Sequence, residues 1–310
     1  MNQTLRIGTR GSQLALAQSR WVQAALQRQH PDLAIELVTI TTTGDRFLDA
    51  PLSTLGGKGV FVKEIEDALT ANRIDCAVHS MKDVPTELAS GLVIAAIPPR
   101  ADPRDTLISR SRAALRDLPL GARLGTSSLR RMALLRAQRP DLEVVALRGN
   151  VDTRLRKLDA GDLDAVVLAA AGLHRLGIVR TDVELLDPEN FVPAIGQGAL
   201  AIESRDDTTL ARLAALDDTD TRIAVSAERA FLARVGGSCR TPLAAHATVS
   251  AGQVTLRALI ANPDGSQVVR GRHGGTASSA THLGQELADE LLGRGGRRIL
   301  DALDEAAHGR

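Results

Sequence analysis

The sequence predicts an α/β protein of two similar lobes with mostly parallel sheets, followed by a small α+β C-terminal domain. Three observations predict it. A strand, glycine loop and helix open the chain and return near its middle; a helix end, turn and buried strand recur in the same order; and the texture changes after about residue 220.

Leu5 to Ile7 reads as a short buried strand, which Gly8-Thr9-Arg10-Gly11-Ser12 breaks before Leu14, Leu16, Trp21 and Ala25 begin a helix. In the second half Arg123-Leu124 precedes Gly125-Thr126-Ser127-Ser128, and Leu129, Met132, Leu135 and Ala137 follow in a helix. The second repeat sets Leu69 and Ile74-Asp75-Cys76-Ala77-Val78 against Leu158 and Leu163-Asp164-Ala165-Val166-Val167. Upstream strands are expected over residues 35–41 and 144–147, so each half is a β-α-β unit. Ile97-Pro98-Pro99-Arg100-Ala101-Asp102-Pro103 suits a linker, and Pro193-Ala194-Ile195-Gly196-Gln197-Gly198 a second crossing whose glycines permit hinge dihedrals. Two such lobes on hinges should enclose a cleft. After residue 220 a helix over 222–234 ends at Gly236-Gly237. Alternating segments near 246–249, 253–260 and 267–272 read as strands, and a last helix starts near Ser279.

At 310 residues with 44% hydrophobic content, the chain can fill two or three cores. No run of about 18 apolar residues occurs, and Met-Asn-Gln-Thr-Leu-Arg enters the first strand without a signal-peptide pattern, so a cytoplasmic protein is expected. Cys76 and Cys239 lie far apart and lack metal-ligand spacing; neither a disulfide nor a metal site is expected. A net charge of +1, no Tyr, one Trp and four Phe argue against nucleic acid as a partner. Only Lys58, Lys63, Lys82 and Lys157 among the 38 basic residues are Lys. Arginine placement therefore carries the electrostatic argument.

Ligands of α/β lobes bind at the carboxyl ends of the strands, where helix N-termini attract anions. Arg10 and Ser12 lie on such a loop in the first half, and Thr126, Ser127, Ser128, Arg130 and Arg131 on its counterpart. Ser12 and Ser128 could be ordinary helix caps and the arginines solvated surface; the duplication argues for more. Arg148, Arg154 and Arg175 follow further strand ends, and so many guanidinium forks imply a polyanionic ligand. Asp83, in His79-Ser80-Met81-Lys82-Asp83-Val84-Pro85, is a carboxylate among cationic signals. It suits a reaction that moves a proton or develops positive charge, or else a loop ion pair with Lys82. His79 reads as a packed core histidine.

Cys239 follows Gly236-Gly237-Ser238, a flexible approach beside Arg240, whereas Cys76 lies within an apolar strand and reads as packing. No His neighbours Cys239 in sequence, so attachment is the better reading than thiol catalysis. The loop Leu55-Gly56-Gly57-Lys58-Gly59-Val60-Phe61 lacks the full phosphate-loop spacing; with the polar run from Thr41 to Lys58 it reads as a flap or a surface loop.

These motifs resemble the porphobilinogen deaminase family in order and spacing over essentially the whole chain. They are Gly8-Thr9-Arg10-Gly11-Ser12, Gly56-Gly57-Lys58-Gly59, the 79–85 segment, Gly125-Thr126-Ser127-Ser128-Leu129-Arg130-Arg131, Arg148-Gly149-Asn150-Val151-Asp152-Thr153-Arg154, Gly196-Gln197-Gly198 and Gly236-Gly237-Ser238-Cys239. The resemblance implies two lobes like those of type II periplasmic solute-binding proteins. The first would comprise residues 1–98 and 199–217, the second 104–193, and a C-terminal domain over 221–310 would carry the cofactor cysteine. It implies a monomeric cytoplasmic transferase with a dipyrromethane cofactor joined by a thioether to Cys239. On this primer four porphobilinogen units are added head to tail, each releasing ammonia, and hydrolysis frees hydroxymethylbilane.

On the same resemblance Asp83 is catalytic, protonating the departing amine and steadying the cationic azafulvene. Ser12, Lys82, Thr126, Ser128, Arg130 and Arg131 hold the cofactor, and Arg10, Arg148, Arg154 and Arg175 bind substrate. Arg240-Thr241-Pro242 replaces the family's more usual Gln-Val-Pro after the cysteine. Two other functions compete: a non-catalytic anion-binding protein with a solute-receptor fold, and a nucleotide-dependent transferase using the Gly56–Gly59 loop. The absent export signal, with Asp83 and Cys239, disfavours the first; the incomplete loop spacing disfavours the second.

Overall fold

A computed structural model describes residues 4–46, 62–236 and 241–308. The described chain forms β1 (Leu5–Thr9), α1 (Gln13–Gln29), β2 (Ile35–Thr39), α2 (Thr43–Arg46), α3 (Lys63–Thr70), β3 (Cys76–Ser80) and β4 (Leu92–Ala96). Next come β5 (Asp105–Ser109), β6 (Arg123–Gly125), α4 (Leu129–Gln138), β7 (Glu143–Val145), α5 (Val151–Asp159), β8 (Ala165–Ala169), α6 (Ala170–Arg175) and β9 (Val183–Leu185). The remainder is β10 (Leu200–Arg205), α7 (Thr209–Leu213), α8 (Thr219–Val235), β11 (Leu243–Ser250), β12 (Gln253–Ala261), β13 (Val268–Thr276), α9 (Ala280–Leu291) and α10 (Arg297–His308).

Two compact units result, one of Met1–Asp102, Ala171–Ile178 and Gly198–Arg222, the other of Pro103–Ala170, Val179–Gln197 and Ile223–Arg310. The sheet of the first unit has the order β2-β1-β3-β10-β4. β1 runs parallel to β2 and β3, and β10 pairs antiparallel with both β3 and β4, so four of its five strands share one direction. Both faces are covered. Leu5, Ile7, Val22, Leu26, Val78, Ile202 and Leu213 pack on one side, and Ile65, Leu69, Ile74, Ala77 and Leu92 on the other. A strand covered on both faces needs apolar residues facing each way, which is why β3 opens on Cys76-Ala77-Val78 before His79 and Ser80 at its carboxyl end. On α1, Ala15, Gln18, Ser19, Val22, Ala25 and Leu26 are buried, the three-and-four spacing of one helix face.

The second unit repeats the plan as β7-β6-β8-β5-β9, with β6 parallel to β7 and β8, and β5 antiparallel to β8 and β9. Four of five strands again point one way. This unit also holds the antiparallel sheet β11-β12-β13. Val254, Leu256, Ala258 and Ile260 of β12 pack with Phe231, Leu283, Leu287 and Leu291 from the C-terminal helices. Leu259 and Ala261 face the other way, into the core around Leu107, Leu124 and Phe191. α8 ends at Gly236, whose φ of 75° is the left-handed conformation that glycine adopts without strain.

Several boundaries move outward from the sequence expectation. The helix expected over 222–234 spans Thr219–Val235, and the strands of the C-terminal sheet are longer than their alternating segments, because hydrogen-bonded ladders continue past the apolar positions. Strands expected over 35–41 and 144–147 end earlier, at Thr39 and Val145.

Candidate functional site

Each α/β sheet ends one strand in the same construction. In the first unit β1 leads through Arg10 and Gly11 to Ser12, whose hydroxyl accepts the Ala15 N–H at 3.2 Å and caps α1. In the second, β6 leads through Thr126 and Ser127 to Ser128, which accepts the Arg131 N–H at 3.4 Å and caps α4. Thr126 is buried, and its hydroxyl accepts the Ser128 N–H at 3.2 Å. The glycines that open these loops allow close approach: a Cβ on Gly125 would lie 2.6 Å from Leu163 and 2.7 Å from Leu147, and one on Gly8 would collide with Ile74. Ser12 and Ser128 are therefore helix caps, and a capped N-terminus still presents its positive dipole end to the loop.

Arg10 is engaged within its own unit. Its Nε lies 3.2 Å from each Asp45 oxygen, and Asp45 also accepts the Thr42 hydroxyl at 2.8 Å. Burial would raise the Asp45 carboxyl, but these hydrogen bonds outweigh it and hold it below the usual range.

Asp83 closes a single 3-10 turn, Met81–Asp83, directly after β3, with the Val84 N–H donating to the Met81 carbonyl at 3.1 Å. Its side chain is exposed and forms no hydrogen bond or ion pair among the described residues, so the loop pairing with Lys82 is not formed. Lys82 is half-buried. His79 is buried as expected, and its Nε2 is 2.9 Å from Glu203 Oε2.

Arg130 and Arg131 do not stand on a surface. They are 4% and 6% exposed, and both close on Asp105, which is fully buried at the start of β5. Arg130 Nη1 donates to Asp105 Oδ2 at 2.6 Å and to the Val192 carbonyl at 2.8 Å. Arg131 donates Nε–H and Nη2–H to Asp105 Oδ1 at 3.0 and 2.7 Å, and Nη1–H to the Val167 carbonyl at 2.9 Å. Burial would raise Asp105, but the two guanidinium charges outweigh it and hold the carboxyl well below its usual range; burial also lowers Arg131. Arg130 Nε is buried with no partner among the described residues. Two cations and one anion leave this cluster positive.

Arg154, in the second unit, and Arg175, in the first, are exceptional in another way. Arg154 donates Nε–H to the Gly149 carbonyl at 2.9 Å, and Arg175 donates Nη2–H to the Gly198 carbonyl at 2.7 Å. Neither meets a carboxylate among the described residues. Burial pushes each guanidinium down to about 10, aided at Arg154 by the charges of Arg131 and Arg148. Half-buried cations without counter-charges are costly, which makes them candidates for an anionic ligand.

Cys239 and the Gly56–Gly59 loop with Lys58 lie outside the described residues. Cys76 is fully buried in β3, and burial pushes its thiol up to about 12, which removes it as a nucleophile. Asp105, Glu203 and Asp45 escaped the sequence reading, and Gln197 figures there only within the Gly196-Gln197-Gly198 motif. Gln197 donates Nε2–H to Asp105 Oδ1 at 3.1 Å and to the Pro103 carbonyl at 2.8 Å. An aspartate at the head of the buried strand Asp105–Ser109 is the local signal for the first; its arginine partners lie 25 and 26 residues away, beyond any local pattern.

Two family models match the chain: "Porphobilinogen deaminase, dipyromethane cofactor binding domain" over residues 5–213 and "Porphobilinogen deaminase, C-terminal domain" over residues 222–293. A porphobilinogen deaminase of Syntrophotalea carbinolica is 54% identical over 302 residues, 97% of this chain and 96% of that protein. One of Syntrophobacter fumaroxidans is 50% identical over 307 residues, 98% of this chain and 99% of that protein. Among solved structures, the aliphatic sulphonate binding protein SsuA of Escherichia coli is 14% identical with a TM-score of 0.40, covering 75% of this chain and 70% of its own. The methionine binding protein MetQ is 15% identical with a TM-score of 0.42, covering 69% of this chain and 89% of its own.

Proposed function

This chain belongs to the porphobilinogen deaminase family, and we propose on that basis that it condenses four porphobilinogen units head to tail on a covalently held dipyrromethane. Each addition releases ammonia, and hydrolysis frees the linear tetrapyrrole hydroxymethylbilane. The enzyme is thus a transferase acting on a small molecule, and we assign it to the cytoplasm as a monomer. The observation that carries the reading is near-full-length identity of 54% to a relative of that name. No described helix is long and apolar enough to cross a membrane.

The donor set suits a dipyrrole and its extension. Each ring bears an acetate and a propionate, and the half-buried Arg154 and Arg175 lack carboxylate partners among the described residues. Bound through the Cys239 sulfur, the dipyrromethane supplies the free pyrrole carbon to which the first unit is joined. We assign Ser12, Lys82, Thr126, Ser128, Arg130 and Arg131 to its acid arms, and Arg10, Arg148, Arg154 and Arg175 to those of the substrate. Charge-assisted bonds of this kind each contribute about 1.5–3 kcal/mol.

Asp83 moves the protons. Its carboxyl gives one to the substrate amine, the carbon–nitrogen bond breaks, and ammonia leaves. The carboxylate then faces the positive charge left on the substrate. After the new carbon–carbon bond forms, it takes the proton from the joined ring carbon and is restored. An exposed side chain with no partner among the described residues suits both transfers. The test is incubation with porphobilinogen: one ammonia per unit consumed, with release of a linear tetrapyrrole, is expected. Binding without ammonia release would mark a solute-binding protein instead.

A further inference from the structure

We propose that His79 and Glu203 form a positioning pair that fixes the turn carrying Asp83, an inference that rests on the role given to Asp83 above. The pair joins two strands of the first unit. Glu203 lies on β10, opposite Ala77, while His79 of β3 lies opposite Ala201, so the side chains meet diagonally across the ladder. Their 2.9 Å hydrogen bond is closed to water, with side chains 4% and 0% exposed.

Stability does not account for such a pair. Glu203 Oε1 is buried without a partner among the described residues, and a half-satisfied buried polar group is worse for the fold than a well-packed apolar one. What it supplies is direction. Apolar packing tolerates sliding, whereas a hydrogen bond between two side chains fixes the offset of the strands that bear them. The strand end is then held on two sides. The Met81 N–H donates to the Ala199 carbonyl at 3.0 Å, continuing the β10 ladder into the turn. The Ser80 hydroxyl accepts Gln18 Nε2–H at 2.9 Å from the helix that Ser12 caps. Asp83 is the third residue of the turn so held. A proton donor that must also face a transient cation depends on position to a fraction of an ångström.

The test compares His79→Leu, Glu203→Met, their double variant and Glu203→Gln with the holoenzyme, each first checked for a bound dipyrrole by intact mass. Each apolar single variant should lower kcat about 10-fold or more with KM for porphobilinogen little changed, as loss of an orienting partner does. Each also leaves a polar group unpaired and should lower Tm. The double variant removes both polar groups, so Tm should return towards the parent while kcat stays low; Glu203→Gln, which keeps a hydrogen bond, should retain most of kcat. Recovery of kcat together with Tm in the double variant, or unchanged kcat in both singles, overturns the proposal. So does a Glu203→Gln enzyme as slow as Glu203→Met. Asp83→Asn is run alongside: if it turns over normally, the role of Asp83 fails. If it is inactive while the pair's variants keep kcat, only the positioning inference fails.

Discussion

Asp105 takes two N–H groups of Arg131 on one oxygen, Nε at 3.0 Å and Nη2 at 2.7 Å, while its other oxygen accepts Arg130. Asp105→Asn would leave two buried guanidiniums without a counter-charge, and breaking a buried pair costs about 3–5 kcal/mol. A fall of that size in unfolding free energy, read by denaturant titration, is expected. The acid dependence follows from the direction of the shift. The folded carboxyl lies below its ordinary value of 3.8, so its stabilisation is fully present above that pH and is lost as pH falls below it. The Asn variant should lack that part of the acid-induced loss.

Asp83→Asn removes a carboxylate with no partner among the described residues, so Tm should change little. Turnover should fall by about 10²–10⁴, the usual worth of a positioned acid–base group. Ammonia release checks the activity, and intact mass checks that the dipyrrole remains.

Arg154→Met should separate stability from binding. A guanidinium that burial holds near 10 destabilises the fold at neutral pH, and no carboxylate among the described residues offsets this. The variant should melt higher than the parent. It should also show a raised KM for porphobilinogen, by about 10-fold if one charge-assisted bond is lost. A lower Tm with unchanged KM would make Arg154 a structural residue.

Cys76→Ala should keep the dipyrrole and the turnover. The thiol is fully buried and pushed up to about 12, so the loss is a small packing defect of about 1 kcal/mol.

What the sequence made legible is local and repeated. The loops at Gly8–Ser12 and Gly125–Ser128 announce themselves because glycine, a capping serine and an apolar helix stripe stand within a few residues, and the structure places both at strand ends. β10 is different. Nothing within residues 200–205 says that it enters the first sheet antiparallel, between β3 and β4. Only the family resemblance placed chain returning after Gly198 in the first lobe. Arg130 and Arg131 look like a polar helix surface in sequence because Asp105, which permits their burial, is fixed by tertiary pairing. Glu203 escaped for the same reason: a lone carboxylate in an apolar strand has no visible partner until the ladder sets it diagonal to His79.

The central claim is a primer tethered to one sulfur, and intact mass spectrometry of the purified native protein tests it most directly. The account predicts a mass above that of the polypeptide by one dipyrrole, present in the Cys76→Ala protein and missing from Cys239→Ser. A fully active enzyme with the bare polypeptide mass, or a dipyrrole that survives Cys239→Ser, would contradict it.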